Sequence, residues 1–194
     1  KAHGSYQQLS GGFIHEGLQD LTGAPTETVV FQAGLFDPDE FWVRLLSFST
    51  AGFLMGVATA RGGDGLVGSH AYSILQVFEV PDSVIGEQSK VTDYYVGDGT
   101  KTSNKPKRET ICLIRIRNPW GKREWKGDWS ADSERWTKAL RAKLGSSYVK
   151  GDGTFYMSYQ DMLQRFHHFE VAKTREVSSI LFRSEKYSHK CTRQ

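Results

Sequence analysis

The amino-acid sequence predicts a mainly β protein with flanking helices, built as an antiparallel β-sandwich or barrel. Two observations lead there. Several runs rich in β-branched and aromatic residues, above all His70 to Val80 and Thr110 to Arg117, fill the middle and end of the chain. Helical spacing is concentrated ahead of them, so strands and helices do not alternate as they would around a parallel sheet.

The elements follow in order. Phe13 to Leu21, preceded by Gly11-Gly12, has apolar spacing that suits one helix face, with Ser10 as its expected cap. Asp37-Pro38-Asp39-Glu40 supplies a cap, a first-turn proline and acidic residues for a second helix running through Leu46. Gly52 to Thr59, His70 to Val80 and Thr110 to Arg117 read as strands, the last ending at Asn118-Pro119. Between them Pro81 to Arg108, with Gly97-Asp98-Gly99 and a basic patch, reads as a long exposed loop. Ser133 to Leu144 returns to helical spacing with Ser133 as cap, and Phe155 to Met157, Phe166 to Val171 and Ser179 to Phe182 complete the strands. The polar, basic tail from Arg183 reads as a linker.

Bulk properties narrow the function classes. The 194 residues suffice for one full core, and Lys plus Arg exceed Asp plus Glu by only 3. With no aromatic-basic repeat, a nucleic-acid partner is not indicated. No apolar run approaches the ~20 residues that span a bilayer, and Lys1-Ala2-His3-Gly4 is neither a signal peptide nor an initiator Met, so the chain is expected to be a soluble piece of something longer. Two cysteines, Cys112 and Cys191, make neither a disulfide framework nor a Cys-rich zinc site, and a reducing, cytoplasmic compartment is expected.

Three local patterns carry less than they suggest. Gly63-Asp64-Gly65-Leu66-Val67-Gly68 spells a dinucleotide fingerprint, but a β-type run follows where that site needs a helix, so it reads as a loop leading into a strand. Asp93 to Asp98 offers carboxylates without the spacing that wraps calcium. His167 and His168 are adjacent, and on a strand would face opposite ways instead of gripping one metal.

The informative stretch runs from Ile114 to Ser130, and four of the five tryptophans lie between Trp120 and Trp136. A strand end explains Asn118-Pro119 but leaves unexplained both the tryptophans and the upstream Gly68-Ser69-His70-Ala71-Tyr72. Together the two stretches resemble the calpain family of cysteine proteases, in which Gly-His-Ala-Tyr carries the catalytic histidine and Arg-Asn-Pro-Trp-Gly the asparagine. Leu9-Ser10-Gly11-Gly12, Leu21-Thr22-Gly23 and Asp152-Gly153-Thr154-Phe155-Tyr156-Met157-Ser158-Tyr159 extend the likeness, which covers most of Gly4 to Val171.

The resemblance implies the β half of a papain-like protease core. His70 would take the thiol proton and return it to the leaving amine, and Asn118, 48 residues on, would hold the imidazole in the right tautomer. Trp120 would cover the site and shield that hydrogen bond from water. The family's nucleophile lies upstream in a Gln-x-x-x-Gly-x-Cys-Trp motif that is absent here. Cys112, inside a strand, reads as a small apolar residue, and the isolated chain is expected to be inactive. Residues 1–10 would close the Cys-bearing half, 11–175 form the second core subdomain, and 176–194 lead toward a further domain. The implied partners are the Cys-bearing half and protein or peptide substrates. A calpain-like pseudoprotease scaffold and an unrelated β-sandwich module that binds through its tryptophans are the rival functions.

Calcium is the one cofactor the resemblance raises, and the chemistry itself requires none. Glu124 and Asp152 match the family's calcium-loop carboxylates. Ala131 and Thr154 stand where acids are common, Asp132 is displaced by one, and Lys150 adds unfavourable charge. Binding by this half is therefore expected to be weak or absent.

Overall fold

The computed structural model describes residues 4–5, 11–32, 34, 36–81, 110–144 and 151–174. Its centre is one six-stranded antiparallel sheet with helices on both faces. Along the chain run α1 (Ile14–Thr22), β1 (Thr26–Val30), α2 (Pro38–Thr50), β2 (Leu54–Thr59) and β3 (His70–Pro81), then β4 (Thr110–Arg117), α3 (Lys138–Lys143), β5 (Thr154–Ser158), α4 (Tyr159–Arg165) and β6 (His168–Ala172). The strand order is β1-β6-β2-β3-β4-β5, so β1 and β5 form the edges. The mainly β, antiparallel architecture with flanking helices is present, drawn as a single continuous sheet.

Alternation sorts the side chains onto two faces. Met55 and Val57 of β2, Tyr72 and Ile74 of β3, Ile114 and Ile116 of β4, Phe155 and Met157 of β5, and Phe169 and Val171 of β6 share the larger core with Phe41, Trp42 and Leu45 of α2. A bulge between Ile74 and Gln76 shifts the register of β3 against β4. The extra residue lets Val77 join Tyr72 and Ile74 on that face, which strict alternation would forbid. The opposite face carries a smaller cluster of Val80, Leu113, Trp129, Leu140 and Tyr156, with Trp136 packed against it.

Local chemistry fixes the helix ends. Asp37 caps α2 as expected, its Oδ1 accepting from the Asp39 and Glu40 amides at 2.8 and 3.2 Å. The N-cap position of α1 is Phe13, with no side-chain cap; Ser10 lies outside the described residues. Glu170 on β6 supplies the missing acceptor, taking the His15 N–H on Oε2 at 2.5 Å while its Oε1 meets His15 Nδ1 at 2.8 Å. A cap borrowed across 155 residues cannot be read from local sequence.

Other expectations are corrected in detail. The helix expected from Ser133 forms only over Lys138–Lys143, capped by Thr137, whose Oγ1 accepts from Leu140 N–H at 3.1 Å. Residues 133–136 turn instead, because the Trp136 indole donates to the Ser130 carbonyl at 2.7 Å and pulls that segment onto the smaller core. Two elements lie outside the expected set. β1 is a short edge strand, and α4 begins directly at the end of β5, where Ser158 Oγ accepts from Asp161 N–H at 3.0 Å and donates to Asp161 Oδ2 at 2.6 Å. The strand expected from Phe166 starts at His168. His167 precedes it, and the two imidazoles sit with Nδ1 atoms 3.1 Å apart instead of on opposite faces. The expected loop within 82–109, the strand at Ser179, the tail, Lys150 and Cys191 lie outside the described residues. Among the described residues no helix is long and apolar enough to cross a membrane.

The two faces of α2 give a direct test. Leu45 is fully buried, so Leu45→Ala should cost about 2–5 kcal/mol in urea unfolding. Val43, 65% exposed on the same helix, should change stability by less than about 0.5 kcal/mol when replaced by Ala.

Candidate active site

His70 opens β3, and Asn118 follows the last residue of the neighbouring β4. The antiparallel pairing of β3 with β4 therefore brings the start of one strand beside the end of the other. The structure joins them through His70 Nε2 and Asn118 Oδ1 at 2.9 Å. Asn118 Oδ1 also accepts the Trp120 N–H at 3.0 Å, and its Nδ2 donates to the Lys122 and Arg123 carbonyls at 2.6 and 3.2 Å. Only one amide orientation fits this set, since two carbonyls require the NH2 group and an N–H requires the oxygen. An oxygen acceptor then requires the proton on His70 Nε2 and leaves Nδ1 as the other reactive position.

Each neighbour is held by the chain around it. His70 N–H donates to Thr59 Oγ1 at 3.2 Å, and that hydroxyl donates to the Val67 carbonyl at 2.6 Å. Val67 N–H donates to the Tyr72 hydroxyl at 2.8 Å; burial pushes the Tyr72 phenol up, partly opposed by that bond and by the Arg123 charge. Ser69 and Arg123, with φ of 49° and 63°, are non-glycine residues in the left-handed region beside the site.

The glycine motif at 63–68 takes a different role from phosphate binding. Gly63 and Leu66 bridge each other in a tight loop, and the Asp64 carbonyl accepts the Lys126 N–H at 2.9 Å. Arg165 reinforces the contact by pairing with Asp64 at 2.7 Å while lying over the Trp125 ring. Gly65, at φ +89°, brings its backbone against the Glu124 carbonyl, where a Cβ would overlap the oxygen.

Trp120 packs on His70, with ring centroids 4.2 Å apart, yet stays 56% exposed. With Val67, Lys122 and Arg123 it lines an open depression of about 660 Å³ beside the imidazole. The remaining tryptophans of the cluster pack inward. Trp125 and Trp129 are buried, Trp136 is partly buried, and Trp129 and Trp136 meet edge to face at 5.3 Å.

Cys112 is half-buried against the larger core and pairs across the sheet with Glu79. Glu79 lies nine residues along β3 from His70, roughly 30 Å at about 3.3 Å per step, so Cys112 cannot reach the imidazole. Glu124 and Asp152 are neighbours through the backbone. Glu124 Oε1 accepts from Gly151 and Gly153 N–H, both at 3.1 Å, and Asp152 Oδ1 accepts from Thr154 N–H at 2.7 Å. Among the described residues, no three His, Cys, Asp or Glu side chains form a group that could hold a metal ion. Calcium takes six to eight oxygens, of which two carboxylates supply at most four.

The sequence profile of the calpain family cysteine proteases matches residues 1–173. The chain belongs to the calpain family. It is 35% identical over 184 residues to the calpain-type cysteine protease ADL1 of Oryza sativa subsp. japonica, covering 89% of this chain and 7% of that protein. To calpain-5 of Mus musculus it is 33% identical over 196 residues, covering 92% of this chain and 28% of the relative. The calpain-1 catalytic subunit of Rattus norvegicus is 32% identical over 181 residues, covering 88% and 22%. The chain thus spans less than a third of these calpains.

Sequence reasoning had no role for the carbonyls of Lys122 and Arg123 or for the backbone contacts of Gly65 and Gly153. Glycines at turns were the available signal, since close backbone approach demands them. Gly65→Ala should therefore destabilise this calpain segment by on the order of 3 kcal/mol, combining overlap with left-handed strain. A thermal unfolding midpoint equal to wild type would refute the proposed contact.

Proposed function

We propose that this chain is the second protease-core subdomain of a calpain-like cysteine endopeptidase, with residues 11–175 forming that subdomain and a thiol supplied from outside the chain. The observation that carries the reading is the hydrogen bond from His70 Nε2 to Asn118 Oδ1, on an amide whose remaining partners permit one orientation.

Proton traffic follows from that bond. With Nε2–H held by Asn118, His70 Nδ1 removes the thiol proton, and the thiolate attacks the scissile carbonyl carbon. The imidazolium formed is steadied by the Asn118 oxygen, then gives its proton to the leaving amine as the C–N bond breaks. In the second half His70 takes a proton from water, which attacks the acyl carbon and releases the thiol. Oxyanion donors would come from the Cys-bearing half. Trp120 excludes water from the His70–Asn118 bond, and the depression beside it would receive part of an extended peptide. No step uses calcium, and binding by Glu124 and Asp152 is proposed to be weak or absent. The setting we propose is the reducing cytoplasm, which suits a thiol enzyme.

The test uses a protein that carries the Cys-bearing half together with this segment, assayed on a fluorogenic peptide. His70→Ala should lower kcat by on the order of 10³-fold, and Asn118→Ala by less, because the imidazole keeps its chemistry and loses only its orientation. The chain alone should show no turnover, with or without Cys112→Ala. Turnover indifferent to His70→Ala would leave the pseudoprotease scaffold as the better account.

A further inference from the structure

The turn that carries Asn118 and the loop before β5 touch through their backbones. Asn118 N–H donates to the Gly153 carbonyl at 2.8 Å, and a Cβ on Gly153 would stand 2.5 Å from the Asn118 carbonyl oxygen. Gly151 and Gly153 both adopt left-handed conformations, at φ +93° and +81°, and glycine's wide backbone freedom in the unfolded chain makes that arrangement costly to fix. What fixes it is Glu124, whose Oε1 gathers the Gly151 and Gly153 N–H groups on one oxygen.

We propose that Glu124 is a positioning residue for Asn118: its carboxylate acts as a hydrogen-bond acceptor, not as a ligand for a cation, and clasps the 151–153 loop against the turn that presents the amide to His70. The grip is double. The carbonyls of Lys122 and Arg123, immediately before Glu124, hold the side-chain NH2 of Asn118, while the Glu124 side chain holds the loop that binds its backbone N–H. A carboxylate is the stronger choice for such a clasp, since hydrogen bonds to a charged acceptor are shorter and tighter than neutral ones. A cation held at Oε1 would compete with both N–H groups for that oxygen. Asp152 Oδ1 is itself committed to Thr154 N–H, Ala131 offers no side-chain oxygen, and Thr154 offers only a hydroxyl.

The inference rests on the reading of His70 and Asn118 as the catalytic pair, but its test reads the clasp without turnover. The two roles predict opposite results for Glu124→Gln, which keeps the acceptor oxygen at Oε1 and removes the charge a cation needs. In this chain, hydrogen exchange should show the Asn118, Gly151 and Gly153 amides protected to within about threefold of wild type in Glu124→Gln. In Glu124→Ala they should exchange roughly tenfold to a hundredfold faster. The NMR signal of the His70 Nε2–H should persist in Glu124→Gln and be lost in Glu124→Ala and Asn118→Ala alike. Millimolar calcium should leave protection in the wild type unchanged. Loss of protection in Glu124→Gln, or protection that rises with calcium, would overturn the clasp; neither reading depends on whether Glu124→Ala folds. Absent turnover in the assembled protease would count against the catalytic reading and leave these exchange results as they stand.

Discussion

A primary amide buried to zero exposure has two N–H donors and a carbonyl oxygen to satisfy, and Asn118 satisfies all of them inside the protein. Leaving one such group unpartnered costs about 1–3 kcal/mol, so the turn from 118 to 124 must point two carbonyls inward at once. That demand explains its backbone. Gly121 and Arg123 both take left-handed conformations, at φ +68° and +63°, so the chain can double back beneath the amide within five residues. Pro119 stops β4 immediately beyond the side chain being held, because a residue without an N–H cannot continue the ladder.

The rest of the fold serves as footing for that turn. The larger core under β3 and β4 locks the two strands in register, and the register decides that a histidine at one strand's start meets an asparagine at the other's end. Trp125 joins that larger core, while Trp129 and Trp136 pack in the smaller one, and the indole N–H groups of Trp125 and Trp136 return to nearby carbonyls, of Asp128 at 2.8 Å and Ser130 at 2.7 Å. Trp120 differs because it packs on the imidazole from outside.

What could be read from the residues alone followed from how local its cause was. Asp37-Pro38 announced α2 because capping is a matter between neighbours, and His70 to Pro81 and Thr110 to Arg117 declared themselves through β-branched and aromatic content. The helix expected from Ser133 began four residues late because an indole hydrogen bond, invisible to periodicity, claimed the preceding turn. α1 lies where its spacing places it, yet the acceptor for its His15 N–H sits on the last strand, out of reach of local sequence. The His-Asn pair was legible through two short motifs, whereas the acceptors that orient the amide are main-chain atoms, which no side-chain pattern encodes.

The hairpin of β3 and β4 is closed at its far end by the pairing of Pro81 with Thr110. Everything the chain does between those two residues leaves and returns through one gate, roughly eleven strand residues, or about 35 Å, from His70. Lengthening a loop adds only slowly to the entropy of closing it. New sequence spliced between Pro81 and Thr110 would therefore enter at the end of the hairpin opposite His70 and Asn118, whose meeting is set by the register of the two strands.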